Sequence, residues 1–132
     1  MLAKSIEVAL HEVDLSPSQY RLLIFLAEAP AAATVLADKL AVTRPSLTAL
    51  VDGLAARGFV VREPDPEDRR RVTHQISDAG SAAIDAADTS IQDRLTTWLG
   101  SRLPEDRVAD VNRGLETWHE GMVEARARLV AQ

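Results

Sequence analysis

The side chains in this chain with chemistry to offer are cations and hydroxyls. Asp65-Pro66-Glu67-Asp68 runs directly into three arginines, Arg69-Arg70-Arg71, and Pro64 and Pro66 restrict the conformations of the run. Upstream, Thr43-Arg44-Pro45-Ser46 leads into Thr48 and Ala49. A guanidinium presents a rigid fork of donors to phosphate, and short polar side chains allow close approach to base edges. Both groups therefore suit a nucleic acid better than a reacting substrate. Other chemistry has no footing here. His11, His74 and His119 show no ligand spacing, and each is expected at a surface or interface rather than on a metal. There is no cysteine, no glycine-rich phosphate loop after a strand and no serine in a nucleophile elbow. No enzyme activity, metal or cofactor is expected.

The elements that must position these groups can be read around them. Leu36 and Leu40 lie four apart on a short helix, with Val42 in the turn that follows. Thr43 suits the N-cap of a second helix, where Pro45 is tolerated in the first turn. Leu47, Leu50, Val51 and Leu54 then form one apolar stripe. The opposite face carries Arg44, Ser46, Thr48, Ala49 and Asp52, and Gly58 fits a left-handed C-terminal cap. A strand at 59–63, the charged loop and a return strand from Val72 to Ser77 complete a hairpin with a basic tip. In the return strand Val72, His74 and Ile76 alternate with Thr73 and Gln75. Two short helices followed by such a hairpin make a winged helix-turn-helix, whose usual partner is duplex DNA.

The flanking segments read as helices. Leu2, Ile6, Ala9, Leu10 and Val13 form a stripe, and Ser16-Pro17-Ser18-Gln19 is a capping-box start for a helix to about Glu28. Tyr20, Leu23, Ile24 and Ala27 are expected inward on it; Pro30 stops it and Ala31-Ala32-Ala33 reads as a spacer. Ser77 caps a long helix to about Leu99 with the stripe Ile84, Ala87, Ile91, Leu95 and Trp98. Pro104-Glu105-Asp106 opens a last helix whose seam is Val108, Val111, Leu115, Trp118, Met122, Ala125 and Leu129. That seam could pack within one chain. A subunit interface is favoured, because the first and the last two helices carry more apolar surface than one small wing domain can cover. The expected interface residues are Leu10, Leu95, Leu115, Trp118 and Met122 of a two-fold homodimer.

The fold expected is mainly α with a small β-hairpin wing. Residues 30–77 form the winged helix-turn-helix core, and 1–15 with 78–132 form a helical dimerisation region. Apolar residues make up 46% of the 132, ample for a packed core, and aromatics only 4%, which leaves that core to aliphatic side chains. No apolar run is long enough to span a bilayer, and Met1-Leu2-Ala3-Lys4-Ser5 lacks a signal-peptide region, so the cytoplasm is the default location and no membrane partner is expected. The net charge of −5 speaks against DNA if taken whole. Between Lys39 and His74, however, seven Lys or Arg face five acids, a local +2 that leaves −7 for the rest. A second class stays open beside the DNA binder: a winged helix that binds protein instead. The acidic total, Ala49 and Gly53 favour that class; the arginine wing, Arg44 and the capped second helix favour DNA.

The chain resembles the MarR family of transcriptional regulators. The matching residues are Leu36-Ala37-Asp38-Lys39-Leu40, Val42-Thr43-Arg44-Pro45, Leu50-Val51-Asp52, Arg57-Gly58-Phe59-Val60, Asp65-Pro66-Glu67-Asp68-Arg69-Arg70 and Ser77-Asp78-Ala79-Gly80. The resemblance implies a homodimeric repressor on a pseudo-palindromic operator. It places Arg70 in the minor groove, Arg69 and Arg71 on flanking phosphates, and Asp68 either orienting an arginine or bracing the hairpin. It puts the recognition surface on Thr43, Arg44, Pro45, Ser46, Thr48 and Ala49. It also implies a crevice for a small aromatic anionic effector, with His11, Tyr20, Arg21, Leu23 and Trp98 as candidates. Family members often carry a basic residue where Ala49 and Gly53 stand, and the first helix is short for the family. Without cysteine, the thiolate sensing of some relatives is excluded.

Overall fold

A computed structural model of the chain describes residues 2–130, the side chains of Arg126, Leu129 and Val130 excepted. Met1, and Leu129 at the end of the expected seam, therefore lie outside what is described. The elements are α1 (Leu2–Glu12), α2 (Pro17–Glu28), β1 (Ala31–Ala32), α3 (Ala33–Leu40), α4 (Arg44–Ala56), β2 (Val60–Pro64), β3 (Val72–Ile76), α5 (Asp78–Gly100) and α6 (Glu105–Val130).

Local chemistry sets most of these boundaries. The Gln19 N–H donates to Ser16 Oγ at 3.1 Å and the Ser16 N–H donates to Gln19 Oε1 at 2.9 Å, a complete capping box for α2. Thr43 Oγ1 accepts the Ser46 N–H at the start of α4, and Ser77 Oγ accepts the Gly80 N–H at the start of α5. Gly58, at φ +75°, takes the left-handed conformation that follows α4. Ala41 ends α3 in the same region, at φ 54°, which an alanine adopts at a cost of about 1–2 kcal/mol.

The sheet has three strands, in the order β1-β3-β2, all antiparallel. Ala31-Ala32-Ala33 is thus no spacer. Ala31 and Ala32 pair with His74 and Thr73 and make β3 the central strand, while Ala33 opens α3. A two-residue strand of alanines carries no alternation by which a sequence could announce it.

Leu15, Leu22, Leu23, Leu26, Leu36, Leu40, Leu47, Val51, Leu54, Val60 and Ile84 make up most of one core. Helix α2 runs through it, touching α3, α4, α5, α6 and β3. Neighbours on several sides shift its deepest face to Leu22, Leu23 and Leu26, with Tyr20, Ile24 and Ala27 half-buried. Helix α1 lies along α5, and Leu10, expected at a subunit interface, is 1% exposed within its own chain. It serves the core, because α1 turns its apolar face toward α5 and α2. At the start of α5, a Cβ on Gly80 would stand 2.3 Å from the Phe59 carbonyl oxygen, so only glycine lets this helix approach the end of the wing.

Candidate nucleic-acid interface

The buried stripe of α4, Leu47, Val51 and Leu54, leaves Arg44, Pro45, Ser46, Thr48 and Ala49 exposed along with the cap residue Thr43. Their hydroxyls are not equivalent. Thr43 Oγ1 holds the cap and donates to Ser46 Oγ at 3.0 Å, so its work is structural. Ser46 keeps its own O–H donor. Thr48 Oγ1 donates to the Arg44 carbonyl oxygen at 3.0 Å, which leaves its lone pairs and methyl group to face outward.

The wing is braced from within. Asp68 Oδ1 accepts the Arg70 N–H at 3.1 Å, the Asp68 carbonyl accepts the Arg71 N–H at 2.9 Å, and the Asp65 N–H closes the loop onto the Arg71 carbonyl at 2.9 Å. Asp68 also lies 3.9 Å from Arg71 Nε, both side chains well exposed. Asp68 thus braces the loop and also lies near Arg71, and Arg69, Arg70 and Arg71 stand exposed on the tip. Helix and wing are joined by an ion pair between Asp52 of α4 and Arg62 of β2. These two lie on different elements and no spacing rule would have paired them.

Between α4 and the wing lies a cleft of about 410 Å³, lined by Thr34, Arg44, Arg70, Arg71, Val72 and His74. The structure thereby brings cations from helix and wing to one concavity. His74 corrects the expectation of a surface or interface histidine: it is 5% exposed and set in the middle strand. Its Nδ1 is 3.1 Å from the Ala31 carbonyl oxygen. A carbonyl only accepts, so Nδ1 carries the hydrogen and Nε2 is the nitrogen left to titrate. Burial holds the imidazole below the ordinary histidine range, the Ala31 hydrogen bond opposes this, and the nearby Arg62 charge lowers it further. Of the alternating set Val72, His74 and Ile76, His74 is buried and Ile76 half-buried, while Val72 at the wing end is 49% exposed.

A second cleft, of about 440 Å³, lies between α2, α5 and α6. Its apolar lining is Ile6, Ile24, Phe25, Ile91, Leu95, Leu115, Trp118, Met122 and Val123, with Tyr20, Arg21, Asp88, Gln92 and His119 as polar members. The Tyr20 hydroxyl donates to Asp88 Oδ1 at 2.5 Å. Of the effector candidates, Tyr20 and Arg21 line this cleft. Leu23 is fully buried in the core, and His11 and Trp98 lie outside the lining. Trp98 stacks instead under the Arg102 guanidinium, 4.5 Å from its ring centre. Leu95, Leu115, Trp118 and Met122, expected at an interface, gather along the same cleft, with Trp118 66% and Met122 39% exposed. Among the described residues no group of His, Asp and Glu is placed to hold a metal ion, and no helix is long and apolar enough to cross a membrane.

The sequence profile of the MarR family matches residues 13–71. The chain is 35% identical over 103 residues to the uncharacterized HTH-type transcriptional regulator ML2140 of Mycobacterium leprae, a match covering 77% of this chain and 69% of that protein. It is 34% identical over 74 residues to the HTH-type transcriptional repressor YetL of Bacillus subtilis, covering 54% of this chain but only 44% of the relative. Among solved structures, a mutant MarR from E. coli complexed with operator DNA superimposes with a TM-score of 0.65 at 26% identity, over 86% of this chain and 82% of that one.

Proposed function

The chain belongs to the MarR family of winged helix-turn-helix regulators, and from this we propose that it is a transcriptional repressor that binds duplex DNA as a two-fold homodimer. One observation carries the reading: the exposed face of α4 and the arginine wing meet around a single cationic cleft. On a duplex, α4 would enter the major groove and Arg70 the adjoining minor groove, where a narrow groove concentrates negative potential. The likeness to a MarR protein held on operator DNA, and to a relative named as a repressor, supports this reading.

The core of 30–77 then reads DNA, while 1–15 and 78–132 join the subunits, with Leu95, Leu115, Trp118 and Met122 as the contributors. Two-fold symmetry sets a pseudo-palindromic site with half-sites about 34–36 Å apart. A small aromatic anion as effector would lie at the α2 side of the α2–α5–α6 cleft, beside the subunit contact, its ring against Ile24 and Phe25 and its charge toward Arg21, near Tyr20. The protein works in the cytoplasm, where its operator is.

The test is a salt titration of DNA binding by the parent and by Arg70→Ala. The variant is expected to bind all sequences more weakly, with the salt slope flatter by about one unit for each subunit of the dimer. Equal affinity at every salt concentration would remove the wing from the interface. It would favour the protein-binding reading, which the net charge of −5 and the small Ala49 and Gly53 support.

A further inference from the structure

His74 has no part in the reading so far, yet it occupies an unusual place. It is the buried member of a cleft whose other polar members are Thr34, Arg44, Arg70 and Arg71. Its Nδ1–H is engaged with Ala31 across the β1–β3 ladder, and that bond fixes the ring while leaving Nε2 as the one site that can gain a proton. The cleft is thus a pocket with cations at its mouth and a titratable group in its wall.

The charges around the ring are of one dominant sign. Strand β2 places Arg62 opposite His74, partly offset by Asp52 of α4. Helix α4 adds Arg44, and the wing adds Arg70 and Arg71, the latter near Asp68. Strand β1 brings only alanines, and the charged residues of α3 and α2 (Asp38, Lys39, Arg21 and Glu28) are exposed. In α5, Asp78 is exposed as well. A proton on Nε2 is therefore opposed in the free protein by burial and by the neighbouring Arg62. A phosphate in the cleft reverses that balance: it neutralises the arginines and offers an acceptor to Nε2–H.

We propose that the cleft at the wing root seats one DNA phosphate, and that His74 completes the seat as a proton-dependent donor, so that DNA is held more tightly as pH falls. This rests on the DNA-binding reading and adds to it a residue and a regulation: the affinity is linked to proton uptake at the middle strand of the sheet. The sign follows from linkage. If the bound form holds the proton more readily than the free form, binding strengthens as pH falls through the interval between their two pKa values.

The experiment is DNA affinity between pH 8 and pH 6 for the parent and for His74→Gln, at fixed salt, with circular dichroism at each pH to confirm the fold. The parent is expected to gain affinity severalfold over the interval, with at most tenfold per pH unit for each proton taken up, and two such protons in a dimer. His74→Gln is expected to stay flat. A pH dependence unchanged in His74→Gln overturns the proposal while leaving the DNA reading intact; no binding at any pH overturns both. Should His74→Gln fail to fold, the imidazole of His74 can be titrated by NMR in the parent with and without DNA. An upward displacement on DNA supports the seat, and an unmoved titration overturns it.

Discussion

Two glycines show how a single position is decided by what surrounds it. At Gly80 an added methyl group would collide with the Phe59 carbonyl oxygen and with Ile76, 2.7 Å from its Cγ1. Gly80→Ala is therefore expected to destabilise the protein by about 1–3 kcal/mol, as overpacking does. Gly53 sits in the interior of α4, where a Cβ would make ordinary contact, 3.6 Å from Gln19 Nε2. There the helix gains from losing glycine, and Gly53→Ala should stabilise by about 0.5–1 kcal/mol. Denaturant unfolding of the two variants checks both signs; equal and small shifts would show that neither backbone is constrained as described. Among the site residues, the hydroxyls were legible as a group from sequence, but their division of labour was not. Whether Thr43, Ser46 or Thr48 has a hydrogen to offer depends on bonds within one turn of helix, which composition does not reveal.

At the scale of elements, α1 is held to α5 by the packing of Ala9 and Leu10 and, at its end, by an exposed ion pair. The Glu12 carboxylate accepts from Arg94 of α5, and the single Ser90 O–H is shared between Glu12 Oε2 at 3.1 Å and the Ala9 carbonyl at 2.9 Å. The Arg94 hydrogen bond first, and the Ser90 bond second, hold the Glu12 carboxyl below the ordinary glutamate range. A depressed carboxyl pKa supports the fold above its unfolded value and ceases to do so as pH falls through its folded value. Hydrogen-exchange protection of α1 is thus expected to be lower in Glu12→Gln than in the parent at pH 7, and the difference should close in acid, below the ordinary carboxylate range. A difference that persists there would mean that packing, not the ion pair, holds the helix. The helices themselves were readable because stripes at helical spacing and Ser or Thr caps are local. Strand β1 was not, since Ala31 and Ala32 become a strand only when β3 lies beside them. Leu10 was assigned to the wrong surface for a related reason: a core leucine and an interface leucine obey the same spacing, and only the position of α5 tells them apart.

For the molecule as a whole, the apolar cleft between α2, α5 and α6 is the surface that the proposed homodimer would use. Trp118, Met122 and Val123 stand 66%, 39% and 48% exposed on α6. In the proposed homodimer they are covered, and covering a large apolar side chain is worth about 1.5–3 kcal/mol. A Trp118→Ala, Met122→Ala double variant is expected to shift the dimer toward monomer at micromolar concentration by light scattering, with the helix content kept. A parent that is already monomeric at that concentration would reject the dimer. The distribution of charge is also a property of this scale. With −5 over the chain, the arginines of the wing and Arg44 are a local exception in an acidic body.

The ion pair between Asp52 and Arg62 has one further consequence. In the proposed complex it links the helix for one groove to the strand that carries the tip for the other, and the loop at that tip is closed by its own backbone. The two edges then resemble the jaws of a calliper, biased toward one width rather than locked to it, because the pair is exposed. On the proposed operator it is the duplex that must fit the gauge, so base pairs that no side chain touches still contribute to selection through the ease with which they let the grooves be spaced.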